Sequence, residues 1–214
     1  MKNRQWRIAQ RPIGRSLLPE DFAWAEGESI EPADGDVLVR VDYLSFDPAQ
    51  KGWMENVADY VAPSAIGDPM PAFAMGEVIE SRDPNFAPGD RVSGRMSWQD
   101  YATVPGAELT KLPDDGYQSE HLGILGITGM TAFFGLHRIG NPVAGDTIVI
   151  TGAAGATGSA VGQLAKLAGC RVIGVAGGEK KCRWLTEELG FDGAIDYKAG
   201  NVRRDARALA PNGI

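Results

Sequence analysis

Residues 147–166 read TIVITGAAGATGSAVGQLAK, and the folding of that stretch decides the architecture of the chain. Thr147 to Thr151 forms a near-continuous apolar run, as expected of a strand covered on both faces. A glycine-rich turn follows, and then Val161, Leu164, Ala165 and Ala168 recur on one face of a helix that stops at Gly169. The dinucleotide fingerprint G-x-G-x-x-G is broken. Gly155 and Gly158 take its second and third positions, Ala153 stands where the first glycine would fall, and Gly152 precedes it. A pyrophosphate needs free backbone N–H groups at a helix start and little side-chain bulk around them. Gly152, Ala153, Ala154, Gly155, Ala156, Thr157 and Gly158 meet both needs, so the turn is predicted to bind a dinucleotide despite the missing glycine.

Downstream, RVIGVA (171–176) reads as a second strand, Cys182, Leu185 and Leu189 mark a helix ending at Gly190, and AIDY (194–197) reads as a short third strand. Strands alternating with helices imply βαβ units and a parallel sheet. NAD-binding proteins place an acid at the end of the second strand, roughly 20 residues past the glycines, to hold the ribose hydroxyls. Here that count lands on Gly177 and Gly178, followed by Glu179, Lys180 and Lys181. A glycine leaves room for a 2′-phosphate and a lysine neutralises it. The cofactor is therefore predicted to be NADP, with Lys181 as the phosphate contact.

Upstream the texture differs. To about residue 120 the chain is short apolar runs broken by Gly, Pro and Asp, among them DVLVRVDYLSF, GEVIES and DYATVP, and no helical pattern of comparable length interrupts them. In HLGILGITGMTAFFGLHRIGN, Leu125, Gly129, Ala132, Leu136 and Ile139 then recur at helical spacing, with Gly140 placed to end the helix. Two domains follow, residues 1–122 mostly β and residues 123–214 binding the nucleotide.

The composition excludes several classes. With 43% hydrophobic and 23% charged residues and a net charge of −7 spread along the chain, nothing suggests a nucleic-acid or anionic-membrane surface. No apolar run approaches the roughly 18 residues of a membrane span, and no leader pattern is present, so a cytoplasmic protein acting on a small molecule is expected. Cys170 and Cys182 lack C-x-x-C spacing, and with only His121 and His137 beside them no zinc site or disulfide framework is expected.

With TGAAGATGSAVGQLAK, GITGMTAFFGL and GFDGAIDYK, and with NRQWRIAQRP, LSFDPAQKGWM, GEVIES and APGDRVSG in the first half, the chain resembles the zinc-independent medium-chain dehydrogenase/reductases. The branch is that of NADP-dependent enone and alkenal double-bond reductases. The resemblance implies a GroES-like β-barrel domain followed by a Rossmann-type parallel sheet. It implies pyrophosphate binding by Gly152 to Gly158, 2′-phosphate contacts from Lys181 and Tyr197, and Thr131 near the nicotinamide. Zinc-dependent relatives carry Gly-His-Glu where this chain has Met75-Gly76-Glu77, which leaves alcohol oxidation at zinc unsupported. Many members have a tyrosine after Asp-Pro, where this chain has Ala49. A doubly wound sheet has two halves, residues 146–214 supply one, and family members continue past Ile214, so the chain reads as partial.

The expected reaction is hydride delivery from NADPH to the β-carbon of an α,β-unsaturated aldehyde or ketone. The enolate oxygen then needs a hydrogen-bond donor, either the ribose hydroxyl of the cofactor or a tyrosine. The resemblance points to Tyr60 in ADYVAP, at a position that lines the family's substrate cleft, a packed loop aromatic being the other reading of that residue. Trp53 and Met54 are either an apolar wall for the substrate or packing. Tyr43 and Tyr101 are expected in the core, and Asp47 as a turn former. Alternatives are a quinone reductase of the same superfamily and a non-catalytic nucleotide-binding fragment. The resemblance also implies a possible homodimer.

Overall fold

The computed structural model describes residues 1–57, 62–116 and 118–214. They form two compact units, Met1–Leu122 and Gly123–Ile214.

In the first unit, β1 (Lys2–Ile8) and β2 (Phe22–Glu28) pair antiparallel, Lys2 opposite Glu28 and Ile8 opposite Phe22. A five-stranded antiparallel sheet comprises β3 (Asp36–Leu44), β4 (Phe73–Ser81), β5 (Arg91–Arg95), β6 (Tyr101–Pro105) and β7 (Leu109–Lys111), ordered β6-β3-β4-β5-β7. The β3/β4 register shifts between Leu38 and Val39 and again between Val41 and Tyr43. Such irregularities bend and twist the strands, which curls the sheet around its apolar face. Val37, Val39, Ala74, Val78 and Val92 fill that face. The expectation of an uninterrupted β region needs one correction, a short helix α1 (Ala49–Glu55). Its pattern is too brief to register as a period in the sequence. Trp53 and Met54 are buried on it, and Trp53 packs edge-on to Phe73, so their role here is packing. Tyr43, expected inside, is 42% exposed, because the second register shift falls immediately before it.

In the second unit, α2 (Ile127–Phe134) continues through a π-helical turn, Gly135–Gly140. The left-handed residue ending it is Asn141, one place beyond the glycine the sequence suggested. Of the glycines there, Gly129 makes the expected close approach: a Cβ would lie 1.7 Å from the Ile124 carbonyl oxygen. The parallel sheet is β10-β9-β8, with β8 (Thr147–Thr151), β9 (Arg171–Ala176) and β10 (Gly193–Asp196). Helix α3 (Ala156–Leu167) joins β8 to β9, while α4 (Glu179–Arg183), extended by a π turn at Trp184–Glu188, joins β9 to β10. Helix α5 (Val202–Leu209) follows. This is the order of the first half of a doubly wound sheet. Central strand β9 is buried from Val172 to Ala176, each large aliphatic side chain there contributing about 1.5–3 kcal/mol. Among the described residues no helix is long and apolar enough to cross a membrane.

Candidate cofactor site

The turn after β8 lies at the carboxyl end of the parallel sheet, where ligands of open α/β sheets bind. Its shape is set by contacts that only small residues permit. Ala153 is fully buried, and its N–H donates to the Val175 carbonyl (3.1 Å), pinning the turn to β9. Its methyl fills a slot beneath Gly174, where an added Cβ would stand 3.0 Å away. The residue that broke the fingerprint is thus a packing residue. At Gly158 a Cβ would stand 2.4 Å from the Gly152 carbonyl oxygen and 2.9 Å from the Ala153 Cα, so helix and turn approach as closely as backbone allows.

The start of α3 is built to accept an anion. The first ladder bond runs from Ser159 N–H to the Gly155 carbonyl (2.9 Å), leaving the N–H groups of Ala156, Thr157 and Gly158 without intrahelical partners. Gly155 at the N-cap has no side chain to accept from them, and the first turn contains no acid. Gly152, Gly155, Ala156 and Thr157 are solvent-exposed. Free amides and the positive end of the helix dipole therefore point outward together.

At the end of β9, Tyr197 lies against Gly177: a Cβ there would be 2.7 Å from the Tyr197 hydroxyl oxygen and 2.8 Å from its Cζ. Tyr197 N–H donates to the Ala176 carbonyl (3.1 Å), holding the ring at the strand end while 55% of the residue stays exposed. Lys181 is exposed on α4, its N–H donating to the Gly178 carbonyl (3.1 Å). A cavity of about 520 Å³ is lined by Ala154, Lys180, Lys181, Arg183, Trp184 and two acids, Glu187 and Glu188. Three cations against two carboxylates leave it net positive. The turn and the lysine therefore meet at one cavity through Ala154 and Lys181, and Tyr197 stands at the adjacent strand tip. Thr131 is exposed on α2, its hydroxyl donating to the Ile127 carbonyl (2.6 Å), and it is not among the residues that line this cavity. Tyr60 lies outside the described residues.

Counting along one strand missed Asp196. β9 itself ends without an acid, but Asp196, paired with Ala176 in the β10/β9 register, brings a carboxylate to the same edge. Its Oδ1 accepts from the N–H groups of Gly178 (2.8 Å) and Lys198 (2.9 Å). Those two amides, Gly178 foremost, hold the carboxyl below its usual range. The parallel register was the signal that would have found it.

Among the described residues no group of three or more His, Cys, Asp or Glu is arranged to hold a metal. Glu77, in the stretch where zinc-dependent relatives carry their ligands, pairs with Arg40 (2.8 Å) on the face of the sheet. Burial raises the thiols of Cys170 and Cys182, so neither is an activated nucleophile.

The profile of the N-terminal domain of oxidoreductase matches residues 4–112, and that of zinc-binding dehydrogenase matches 156–214. The chain is 43% identical over 214 residues to the NADPH-dependent curcumin reductase of Escherichia coli, covering 100% of this chain and 62% of that protein. It is 40% identical over 172 residues to the NADP(+)-dependent 2-alkenal reductase of Nicotiana tabacum, covering 79% and 50%. It is also similar to the crystal structure of CurA from Vibrio vulnificus in complex with NADPH, with TM-score 0.90 and 41% identity, covering 99% of this chain and 63% of that one. The chain thus spans under two thirds of these relatives' lengths.

Proposed function

The chain belongs to the zinc-independent medium-chain dehydrogenase/reductases, in their NADP-dependent enone-reductase branch, and from that premise we propose that it is the cofactor-holding part of an NADPH-dependent reductase of α,β-unsaturated aldehydes or ketones. The observation carrying this reading is the uncapped, acid-free start of α3 beside a strand end where Gly177 is covered by the Tyr197 hydroxyl.

In this reading the amides of Ala156, Thr157 and Gly158 hold the pyrophosphate, Gly152 to Gly155 keep side chains out of its way, and Lys181 with Tyr197 receives the 2′-phosphate. When bound, the reduced nicotinamide supplies the hydride. Thr131 is assigned to the nicotinamide end and Tyr60 to the hydrogen bond that stabilises the enolate oxygen, both by family resemblance. A phenol hydroxyl suits that second role because it donates at neutral pH without carrying charge.

Steady-state assays with NADPH or NADH against 2-alkenals, cyclic enones and quinones test the reading. NADPH oxidation with the first two classes is expected. Turnover confined to quinones would overturn the substrate class, and equal use of NADH would overturn the cofactor.

A further inference from the structure

The loop between β9 and α4 consists of Gly177 and Gly178. Gly178 sits at φ +96°, a conformation that L side chains rarely adopt. Its N–H is received by Asp196, and its carbonyl receives Lys181 N–H (3.1 Å) and Cys182 N–H (3.2 Å), the first bonds of α4. The same carboxylate oxygen receives Lys198 N–H and so shapes the turn that carries Tyr197. One acceptor therefore ties together the strand end, the start of the helix bearing Lys181 and the turn bearing Tyr197.

We propose that Asp196 is a positioning residue for cofactor selectivity: by receiving Gly178 N–H and Lys198 N–H on one oxygen it fixes Lys181 and Tyr197 in the relation that accepts a ribose 2′-phosphate. The inference rests on the NADPH reading above and adds to it a residue outside the glycine turn after β8 and outside the groups assigned to the 2′-phosphate. A carboxylate here contains a contradiction, since its charge repels the phosphate that its geometry serves. The contradiction resolves if the acceptor geometry matters and the charge does not. Asn supplies an oxygen of the same reach and no charge, so Asp196→Asn should keep the arrangement and relieve the repulsion, whereas Asp196→Ala removes the acceptor and leaves a left-handed Gly178 free to move. The pyrophosphate site is built separately, from the amides of α3, so the effect should fall on the phosphorylated cofactor alone.

The test measures binding of NADPH and NADH to the wild-type chain and both variants by calorimetry, with amide exchange at Gly178 followed in the cofactor-free protein. Asp196→Ala should weaken NADPH by about tenfold through loss of the acceptor shared by the Gly178 and Lys198 amides, leave NADH within about twofold, and expose the Gly178 amide. Asp196→Asn should bind NADPH as tightly as the wild type or more so and keep that amide protected. Parallel weakening of both cofactors in Asp196→Ala would reduce the residue to a general structural role and overturn the proposal. Equal losses in the two variants would show that charge decides, which also overturns it, as would tighter NADPH binding by Asp196→Ala. A wild-type chain that binds neither cofactor, with Gly178 exchanging as expected, would remove the premise through the cofactor reading and not through the loop.

Discussion

Asn3, Asp21 and Gln50, the buried polar side chains among the described residues, all lie in residues 1–122. In residues 123–214 the tightest contacts are glycines set against rings and carbonyls. Asn3, 4% exposed, receives the N–H groups of Asp100 (3.1 Å) and Tyr101 (3.0 Å) and donates to the Tyr101 carbonyl (2.9 Å). Gln50 receives Asp47 N–H and donates to the Ser45 and Pro71 carbonyls. These side chains finish backbone hydrogen bonding where curled strands leave groups unpaired. The parallel sheet has regular pairing along its strands, and carboxylates finish it only at the ends of β9, Asp192 receiving Val172 N–H (2.7 Å) and Asp196 receiving Gly178 N–H, while its glycines serve close approach. Both units set glycines against neighbouring groups, Gly76 against the Arg40 carbonyl among them, but among the described residues the buried polar side chains belong to the first unit.

The largest expected effect breaks the first half of that comparison. Asn3→Ala leaves two N–H groups and a carbonyl without their buried partner, and each such group costs about 1–3 kcal/mol unless water reaches it. A loss near 3 kcal/mol is expected, read as a lowered urea midpoint for the strands of the first unit. A loss under about 0.5 kcal/mol would show that water replaces the side chain.

Next is the reverse experiment. At Gly162, within α3, a Cβ would stand 1.9 Å from the Phe191 ring. Overpacking of this kind costs up to about 3 kcal/mol, while alanine's helix preference returns about 1 kcal/mol. Gly162→Ala should therefore destabilise the second unit by about 2 kcal/mol, and adding Phe191→Leu should recover most of it. Stabilisation by the single change would mean that the ring moves aside freely.

The same contrast explains what the sequence disclosed. The strands β8 and β9, helix α3, the glycine turn and the position of Lys181 were legible because they follow from period and spacing within a short stretch. Asn3 was silent, since its partners lie 97 and 98 residues away and no local pattern announces an asparagine that repairs a distant strand. Asp196 falls between these cases. It stands 18 residues from Gly178 and becomes visible once parallel register is applied to AIDY, yet counting along β9 alone passes over it. Ala153 looked like a defect in a nucleotide motif because a motif records what a ligand needs, and its burial beneath Gly174 belongs to the core. Helix α1 and the exposure of Tyr43 both depend on where a curled sheet lets strands end, which composition does not encode.

Asp21 sharpens the comparison through pH. It is fully buried, and the Arg15 guanidinium, with Leu18 N–H assisting, lowers its carboxyl from the ordinary 3.8 to about 2. A carboxyl depressed on folding contributes stability that is complete above the unfolded value and disappears as pH falls through the folded one. The wild type should thus lose this contribution between about pH 4 and about pH 2, and the stability gap to Asp21→Asn should narrow across that window. A gap unchanged from pH 5 to pH 2 would show that hydrogen-bond geometry, and not ionisation, makes the contribution. The second unit contains no fully buried carboxylate among the described residues, and its partly or fully exposed Asp192 and Asp196, both held below the ordinary carboxylate range, should give a smaller loss in the same direction.

The smallest effect sets two helices of the second unit against each other. Helix α5 starts with Asn201, whose side chain receives Arg204 N–H (3.1 Å), an ordinary polar cap. Helix α3 starts with Gly155 and has none, although its φ of −89° and ψ of 170° suit a capping serine. Exchanging a glycine N-cap for serine is worth only a few tenths of a kcal/mol, and the added Cβ would sit a tight 3.2 Å from the Gly152 carbonyl. Gly155→Ser should therefore change thermal stability by less than a degree or two. Its hydroxyl, however, would occupy an amide that the pyrophosphate needs, so NADPH and NADH should both weaken, in contrast to the one-sided loss expected of Asp196→Ala. If the serine variant is more stable and still binds both cofactors at wild-type strength, the bare start of α3 is incidental and the amides there do not hold the nucleotide.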